Sequence, residues 1–273
     1  MRSGFVSFVG RPNVGKSTLL NAICGKKVSI VSDKPQTTRN RIRGVLTTPE
    51  TQLIFVDTPG IHKAVSALGE RVNATAIEST KDVDVVCLVI DATQTFGTGD
   101  KYVSNHIDMS KAVVILNKID RAEPAKILKQ LQALSSLGAA EYFPISAKTG
   151  DGVAELTAYL ATRMPEGELL YPAEMITETP DSVWIAELVR EQLLENTHEE
   201  LPYSIATRVT EYEPPRIRCE IVVERESQKG MVIGKNGAML KIVGTNVRRQ
   251  LPSGTFLELA VVVDKNWQQR PER

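Results

Sequence analysis

Cysteine and histidine are scarce in this chain, three of each among 273 residues. Cys24, Cys87 and Cys219 lie far apart with no C-x-x-C spacing, and His62, His106 and His198 are equally scattered. That excludes a disulfide framework and a zinc site, and it fits a reducing, intracellular setting. Neither sign of charge is in excess: 33 Lys and Arg stand against 33 Asp and Glu. Whole-chain electrostatics therefore give no reason to bind nucleic acid or membrane, and any such reason must be local. Long apolar runs are missing too. Val85 to Ile90 is among the longest, and it is far too short to span a bilayer. Met1 to Gly4 lead directly into an apolar segment, so no signal peptide is expected. What remains is ordinary for a globular protein: 42% hydrophobic residues, 24% charged, and enough length for about two domains.

The apolar run Phe5 to Val9 reads as a buried strand, and Leu19, Leu20 and Ile23 recur at helical spacing after it. Between them lies Gly10-Arg11-Pro12-Asn13-Val14-Gly15-Lys16-Ser17, which fits G-x-x-x-x-G-K-[ST], followed by Thr18. Strand, glycine-rich turn and helix start together make a phosphate cradle. The glycines allow the backbone N–H groups to approach an anion, and the helix N-terminus adds partial positive charge. Lys16 can reach the β- and γ-phosphates, and the Ser17 hydroxyl can ligate Mg²⁺.

Apolar strands then alternate with amphipathic segments as far as Thr162, predicting an α/β fold with a mainly parallel sheet covered on both faces. Strands are expected at 44–47, 53–56, 85–90, 112–116 and 142–145, and helices near 71–80, 102–107 and 153–162. A further helix follows Pro124, with Ile127, Leu128, Leu131 and Leu134 on one face. Ser32 to Arg43 is polar and reads as a loop. Three sequences sit at the carboxyl ends of strands, where such folds bind ligands. Asp57-Thr58-Pro59-Gly60 supplies an acidic residue that would hold Mg²⁺ through a water and a Gly60 N–H for the γ-phosphate. Asn117-Lys118-Ile119-Asp120 suits a guanine base. One carboxylate, Asp120, can accept from both N1–H and N2–H₂, a donor pair that adenine lacks. The Lys118 stem can lie over the base plane, and the Asn117 amide can brace the loop and the base edge. Ser146-Ala147-Lys148 offers the Ala147 N–H to guanine O6.

Residues 167–180 hold prolines and little periodicity and read as an interdomain linker, giving domains at 1–166 and 181–273. The last part has another order: helix, strand, strand, helix, helix, strand, a smaller α+β unit. Ser227 is a plausible N-cap of its second helix, and the third carries Leu240, Ile242, Val243 and Val247. Between these helices lies Gly234-Lys235-Asn236-Gly237, a G-x-x-G loop of the kind that clamps single-stranded backbone in KH domains. Around it stand Arg225, Lys229, Lys235, Lys241, Arg248 and Arg249, with Glu226 the one acidic residue from Arg225 to Arg249. That points to a focused phosphate-binding face.

Taken together, G-x-P-N-V-G-K-S, D-T-P-G, N-K-x-D and S-A-K resemble the translation-factor-like GTPases of the Era, Der and TrmE group. The V-I-G-x-x-G-x-x-x-K-I run and its element order resemble the type II KH fold. One P-loop GTPase domain followed by one such domain resembles the Era family of bacterial GTPases. The resemblance extends to Pro59-Gly60-Ile61-His62-Lys63, Glu200-Leu201-Pro202-Tyr203-Ser204 and Val223 to Lys229.

It implies a GTP-hydrolysing switch with Mg²⁺ held by Ser17, Thr38 and Asp57, with Thr37 the competing assignment for Thr38. Lys16, Asn13, Thr38 and Gly60 would serve hydrolysis, and Asn13 could help hold a potassium ion near the β- and γ-phosphates. The implied partners are GTP and GDP, small-subunit ribosomal RNA near its 3′ end, and the small ribosomal subunit, whose assembly the family assists. A monomer in the cytoplasm is expected, with loose association at the inner face of the cell membrane. Ile61 stands where Ras-like GTPases place a water-orienting glutamine, so slow intrinsic turnover is expected. Two departures from the family are visible. The last strand, 259–267, has few lysines, and the chain stops at Arg273, short of the usual basic tail. A passive RNA-binding protein and a membrane-surface GTPase are the alternative classes; for the latter there is no basic amphipathic helix or lipidation motif.

Overall fold

The computed structural model describes residues 1–34, 37–39, 41–61, 67–197 and 201–269. His62, Lys63, Glu200 and residues 270–273, named in the sequence reading, lie outside the described residues. Two compact units are formed: Met1–Val31 with Thr38–Glu178, and Ser32–Thr37 with Thr179–Arg273.

In the first unit the described strands are β1 (Arg2–Val9), β2 (Ile42–Thr47), β3 (Thr51–Asp57), β4 (Val85–Asp91), β5 (Val113–Asn117) and β6 (Glu141–Pro144). They form one sheet in the order β2-β3-β1-β4-β5-β6, parallel except for β2 against β3. The helices are α1 (Lys16–Cys24), α2 (Ala67–Glu78), α3 (Thr98–Ser104), α4 (Pro124–Leu134) and α5 (Val153–Arg163). Successive strand residues face opposite sides, so two cores flank the sheet. Phe8, Leu20, Phe55 and Leu156 belong to one, and Val9, Leu88, Ile90 and Leu116 to the other. That double burial is why these strands read as continuous apolar runs. The parallel order also gathers the carboxyl ends of β1, β3, β4 and β5 on one edge. Gly10, Asp57, Asp91 and Asn117 lie there.

Besides shifted bounds, with β2 starting at Ile42 and α2 at Ala67, two differences from the sequence reading have a visible cause. Helix α3 begins before Tyr102, because the Asp100 carboxylate turns back to accept the Gly97 N–H at 3.0 Å and fixes the first turn at Thr98. On α4, Leu134 is buried but Leu128 is exposed, so the apolar stripe is narrower than its spacing implies. Residues of the stretch read as a linker lie along this unit. Val45 N–H donates to Ile176 O at 2.8 Å. The buried Gln52 amide accepts from Leu170 and Tyr171 N–H at 2.8 and 2.9 Å and donates to Tyr171 O at 2.9 Å.

The second unit contains α6 (Asp181–Asn196), β7 (Ile205–Glu213), β8 (Arg216–Val223), α7 (Glu226–Ile233), α8 (Ala238–Arg248) and β9 (Phe256–Val263). Its sheet runs β7-β8-β9, antiparallel then parallel. The core gathers Leu188 and Val189 of α6, Cys219 and Ile221 of β8, and Val243 and Val247 of α8. Ile242 of α8 is exposed, off the buried face. Helix α7 starts at Glu226, one residue before the expected cap Ser227. The Gln228 side chain folds back and accepts N–H bonds from Glu224 and Arg225 at 2.9 and 3.0 Å, tying the chain just before the helix to its first turn. In the short segment Ser32–Thr37, the Thr37 hydroxyl donates to Lys34 O at 2.6 Å, and the Thr37 carbonyl accepts from the buried Arg190 of α6.

Candidate nucleotide site and nucleic-acid interface

The turn after β1 is shaped by close approaches. Gly15 has φ 98° and a Cβ there would sit 2.3 Å from Asn117 Nδ2. Gly60 is pressed against the same turn, where a Cβ would meet Pro12 N at 2.5 Å. The Ile61 N–H donates to Gly10 O at 3.1 Å, and the Ile61 side chain is buried in the sheet core beside Val9 and Leu88. An apolar residue after Gly60 is thus drawn into the protein interior.

Lys16 is buried, and its Nζ donates to Gly10 O at 3.2 Å and Arg11 O at 3.0 Å. Burial lowers its pKa to about 8, against the pull of nearby Asp57. A lysine held this way gains when an anion arrives beside it.

Asp57 is fully buried, and three hydroxyls meet its Oδ2: Ser17 at 2.7 Å, Ser29 at 2.9 Å and Thr38 at 3.3 Å. Its Oδ1 is buried with no hydrogen-bond partner. Burial raises the pKa of this carboxyl, opposed by Lys16 and the three hydroxyls. An orphaned carboxylate oxygen beside Ser17 and Thr38 fits Mg²⁺, a hard cation that takes one carboxylate, hydroxyls and phosphate oxygens. Of the two candidate threonines, Thr38 lies on Ser17, 3.0 Å between hydroxyls, whereas Thr37 turns to Lys34 and Ser32. Ser29 escaped the sequence reading, since nothing in its spacing distinguishes it from a loop serine. Thr58, expected among the nucleotide contacts, gives its hydroxyl to Phe8 O at 2.6 Å.

The loop Asn117–Asp120 is tied to the turn Gly10–Ser17. Asn117 Nδ2 donates to Val14 O at 2.8 Å, and Asn117 Oδ1 accepts the Ala147 N–H at 2.9 Å. The N–H assigned to guanine O6 is therefore engaged with Asn117. Lys118 Nζ donates to Asn13 O at 2.6 Å and to Asp91 Oδ2 at 2.7 Å. Burial raises the Asp91 pKa, but hydrogen bonds from Lys118 and Thr93 outweigh it and hold the carboxyl below its ordinary range. Asp120 Oδ1 accepts the Ser146 hydroxyl at 2.7 Å. Arg11 turns aside to Gln94 and Asp100 at 3.2 and 3.3 Å, and Lys148 is exposed.

In the second unit, Gly234-Lys235-Asn236-Gly237 forms a single turn between α7 and α8. Gly234, Asn236 and Gly237 have φ 75°, 52° and 76°. A Cβ at Gly234 would meet Met239 at 2.8 Å. Lys235, Asn236, Lys241 and Arg248 are exposed and Lys229 half-buried, and none of these basic residues forms an ion pair among the described residues.

A phosphate turn tied to an Asn-Lys-x-Asp loop on a mainly parallel sheet, with a glycine-loop helix pair in a second unit, defines a P-loop GTPase carrying a KH domain. The family described as 50S ribosome-binding GTPase matches residues 5–118, and the KH domain family matches 200–268. GTPase Era of Heliobacterium modesticaldum is 44% identical over 284 residues, covering 100% of this chain and 95% of that one. GTPase Era of a Mycobacterium species is 44% identical over 289 residues, covering 100% and 97%. The crystal structure of Era in complex with MgGDPNP and nucleotides 1506–1542 of 16S ribosomal RNA aligns with TM-score 0.94 at 39% identity, covering 99% of this chain and 96% of that chain. A variant of Aquifex aeolicus Era bound to GDP and AlF4⁻ aligns with TM-score 0.94 at 38% identity, covering 99% and 97%. The chain belongs to the Era family of GTPases.

Proposed function

We propose that this GTPase is a slow, Mg²⁺-dependent switch that binds small-subunit ribosomal RNA near its 3′ end and assists assembly of the small ribosomal subunit. The observation that carries the reading is a GTPase unit and a KH unit in one chain, both matched along their length by a relative solved with MgGDPNP and a 16S RNA segment. Ser17, Thr38 and Asp57 would hold Mg²⁺, and the unpartnered Asp57 Oδ1 supports this. When bound, Mg²⁺ neutralises charge developing on the β- and γ-phosphate oxygens. Lys16 would leave its two carbonyls for the phosphates, and Asp120 would read the base. The burial of Ile61 supports slow turnover, because no side chain there orients the attacking water. Asn13 would help hold K⁺. Hydrolysis is then faster in potassium than in sodium buffer, and equal rates refute that part.

Nucleotide state would reach the KH unit through the polar loop. Ordering of the Ser32–Arg43 and Asp57–Lys63 loops by γ-phosphate and Mg²⁺ contacts would change how the KH unit is held. No described helix is long and apolar enough to cross a membrane. A cytoplasmic monomer with peripheral membrane contact completes the reading, checked by light scattering and by sedimentation with anionic vesicles.

The deciding experiment is crosslinking to total RNA with GTP or GDP present. Crosslinks near the small-subunit RNA 3′ end whose yield differs between the nucleotides are expected. Crosslinks spread over unrelated RNA would refute the target, and a yield insensitive to nucleotide would favour a passive RNA-binding protein.

A further inference from the structure

Asp91 ends β4 and pairs in register with Asn117, the first residue of the base loop. Its side chain is only 6% exposed. Both oxygens are in use. Oδ1 accepts the Thr93 N–H at 2.8 Å and the Thr93 hydroxyl at 2.6 Å, while Oδ2 accepts Lys118 Nζ at 2.7 Å. The same ammonium donates to Asn13 O in the phosphate turn at 2.6 Å. Lys118 also holds φ 68°, the left-handed region that residues with a side chain rarely adopt, and it opens the short turn Ile119–Arg121 that carries Asp120.

We infer that Asp91 is a positioning residue for guanine-nucleotide binding: it anchors the Lys118 ammonium, so that the Lys118 stem is fixed as one wall of the base pocket and the phosphate turn stays joined to the base loop. The inference rests on the assignment of residues 117–120 as the base-reading loop. Three constraints meet on one nitrogen. Thr93 sets the direction of the carboxylate, the carboxylate sets the ammonium, and the Asn13 carbonyl sets where the ammonium must lie. Without the carboxylate, one carbonyl would hold a flexible four-carbon side chain, whose freedom must then be lost when nucleotide binds. The competing account is a buried ion pair that only supports the fold.

A double-mutant cycle on the full chain separates the two. GDP and GTP affinities are measured for the unaltered protein, Asp91→Asn, Lys118→Ala and the double variant. Asp91→Asn should weaken GDP and GTP alike, by about tenfold, as expected for removal of one partner of a desolvated charge pair. The loss should fall on KM for GTP and not on kcat. The double variant should bind no more weakly than Lys118→Ala alone. Unchanged affinity in Asp91→Asn, or losses that multiply in the double variant, would overturn the positioning role while leaving the base loop assignment standing. Unchanged affinity in Lys118→Ala together with unchanged base selectivity in Asp120→Asn would overturn the assignment itself. If Asp91→Asn does not fold, Thr93→Val replaces it. It frees the carboxylate from its hydroxyl, and binding about threefold weaker, absent in the Lys118→Ala background, is the expected result.

Discussion

At the scale of single residues, polar side chains near strand ends differ in where their hydrogen bonds go. Asp120 is the residue proposed to read the base. Its carboxylate accepts the Ser146 hydroxyl through one oxygen, a brace that fixes the direction of the carboxylate. Asp120→Asn should shift preference from guanosine towards xanthosine nucleotides, read by competition binding with GDP and XDP. Unchanged selectivity would remove Asp120 from base reading. The Thr58 hydroxyl is spent on the sheet. It reaches Phe8 O across the β1–β3 pair, so Thr58→Val should lower stability by about 1 kcal/mol in urea denaturation. Both residues stand in motifs, and only the direction of their hydrogen bonds separates them. Ser29 and Asp91 make the complementary point. Neither lies in a motif, yet one donates to Asp57 and the other accepts from Lys118. A polar residue closing an apolar strand, as Asp57 and Asn117 do, was the one available signal for Asp91. Ser29 offered none.

At the scale of elements, the two glycines of the KH loop are not equivalent. A methyl group at Gly237 would enter open space, so Gly237→Ala should cost only its left-handed backbone, about 1 kcal/mol. At Gly234 the methyl would strike Met239 of α8 as well, and Gly234→Ala should cost about 2–3 kcal/mol. Equal midpoints for the two variants in urea would contradict this packing. Helix boundaries were the least legible feature of the chain. At α7 and α3 the start was decided by Gln228 and Asp100 folding back onto backbone N–H groups, which a search for capping serines misses. Leu128 and Ile242 fit their helical patterns but are exposed. Periodicity gives a face, whereas the neighbouring element decides how wide a strip of that face is covered.

At the scale of the molecule, two units with separate cores carry the residues proposed for nucleotide and for RNA. Replacing Lys235 and Asn236 by Asp should weaken RNA binding at least tenfold, as like charge is brought to phosphates, and flatten its salt dependence. GTP affinity should be unchanged, and loss of both activities would place the RNA site elsewhere. The sequence by itself determined the order of elements, the glycine-rich turn after the first strand, the Asn-Lys-x-Asp loop and the G-x-x-G loop, because each rests on local backbone chemistry at fixed spacing. Tertiary structure decided which hydroxyls gather on Asp57, that Thr38 rather than Thr37 joins them, that Ile61 is drawn into the core and that Asp91 grips Lys118. These depend on strands far apart in sequence ending side by side, a juxtaposition that sheet order creates and no local pattern records.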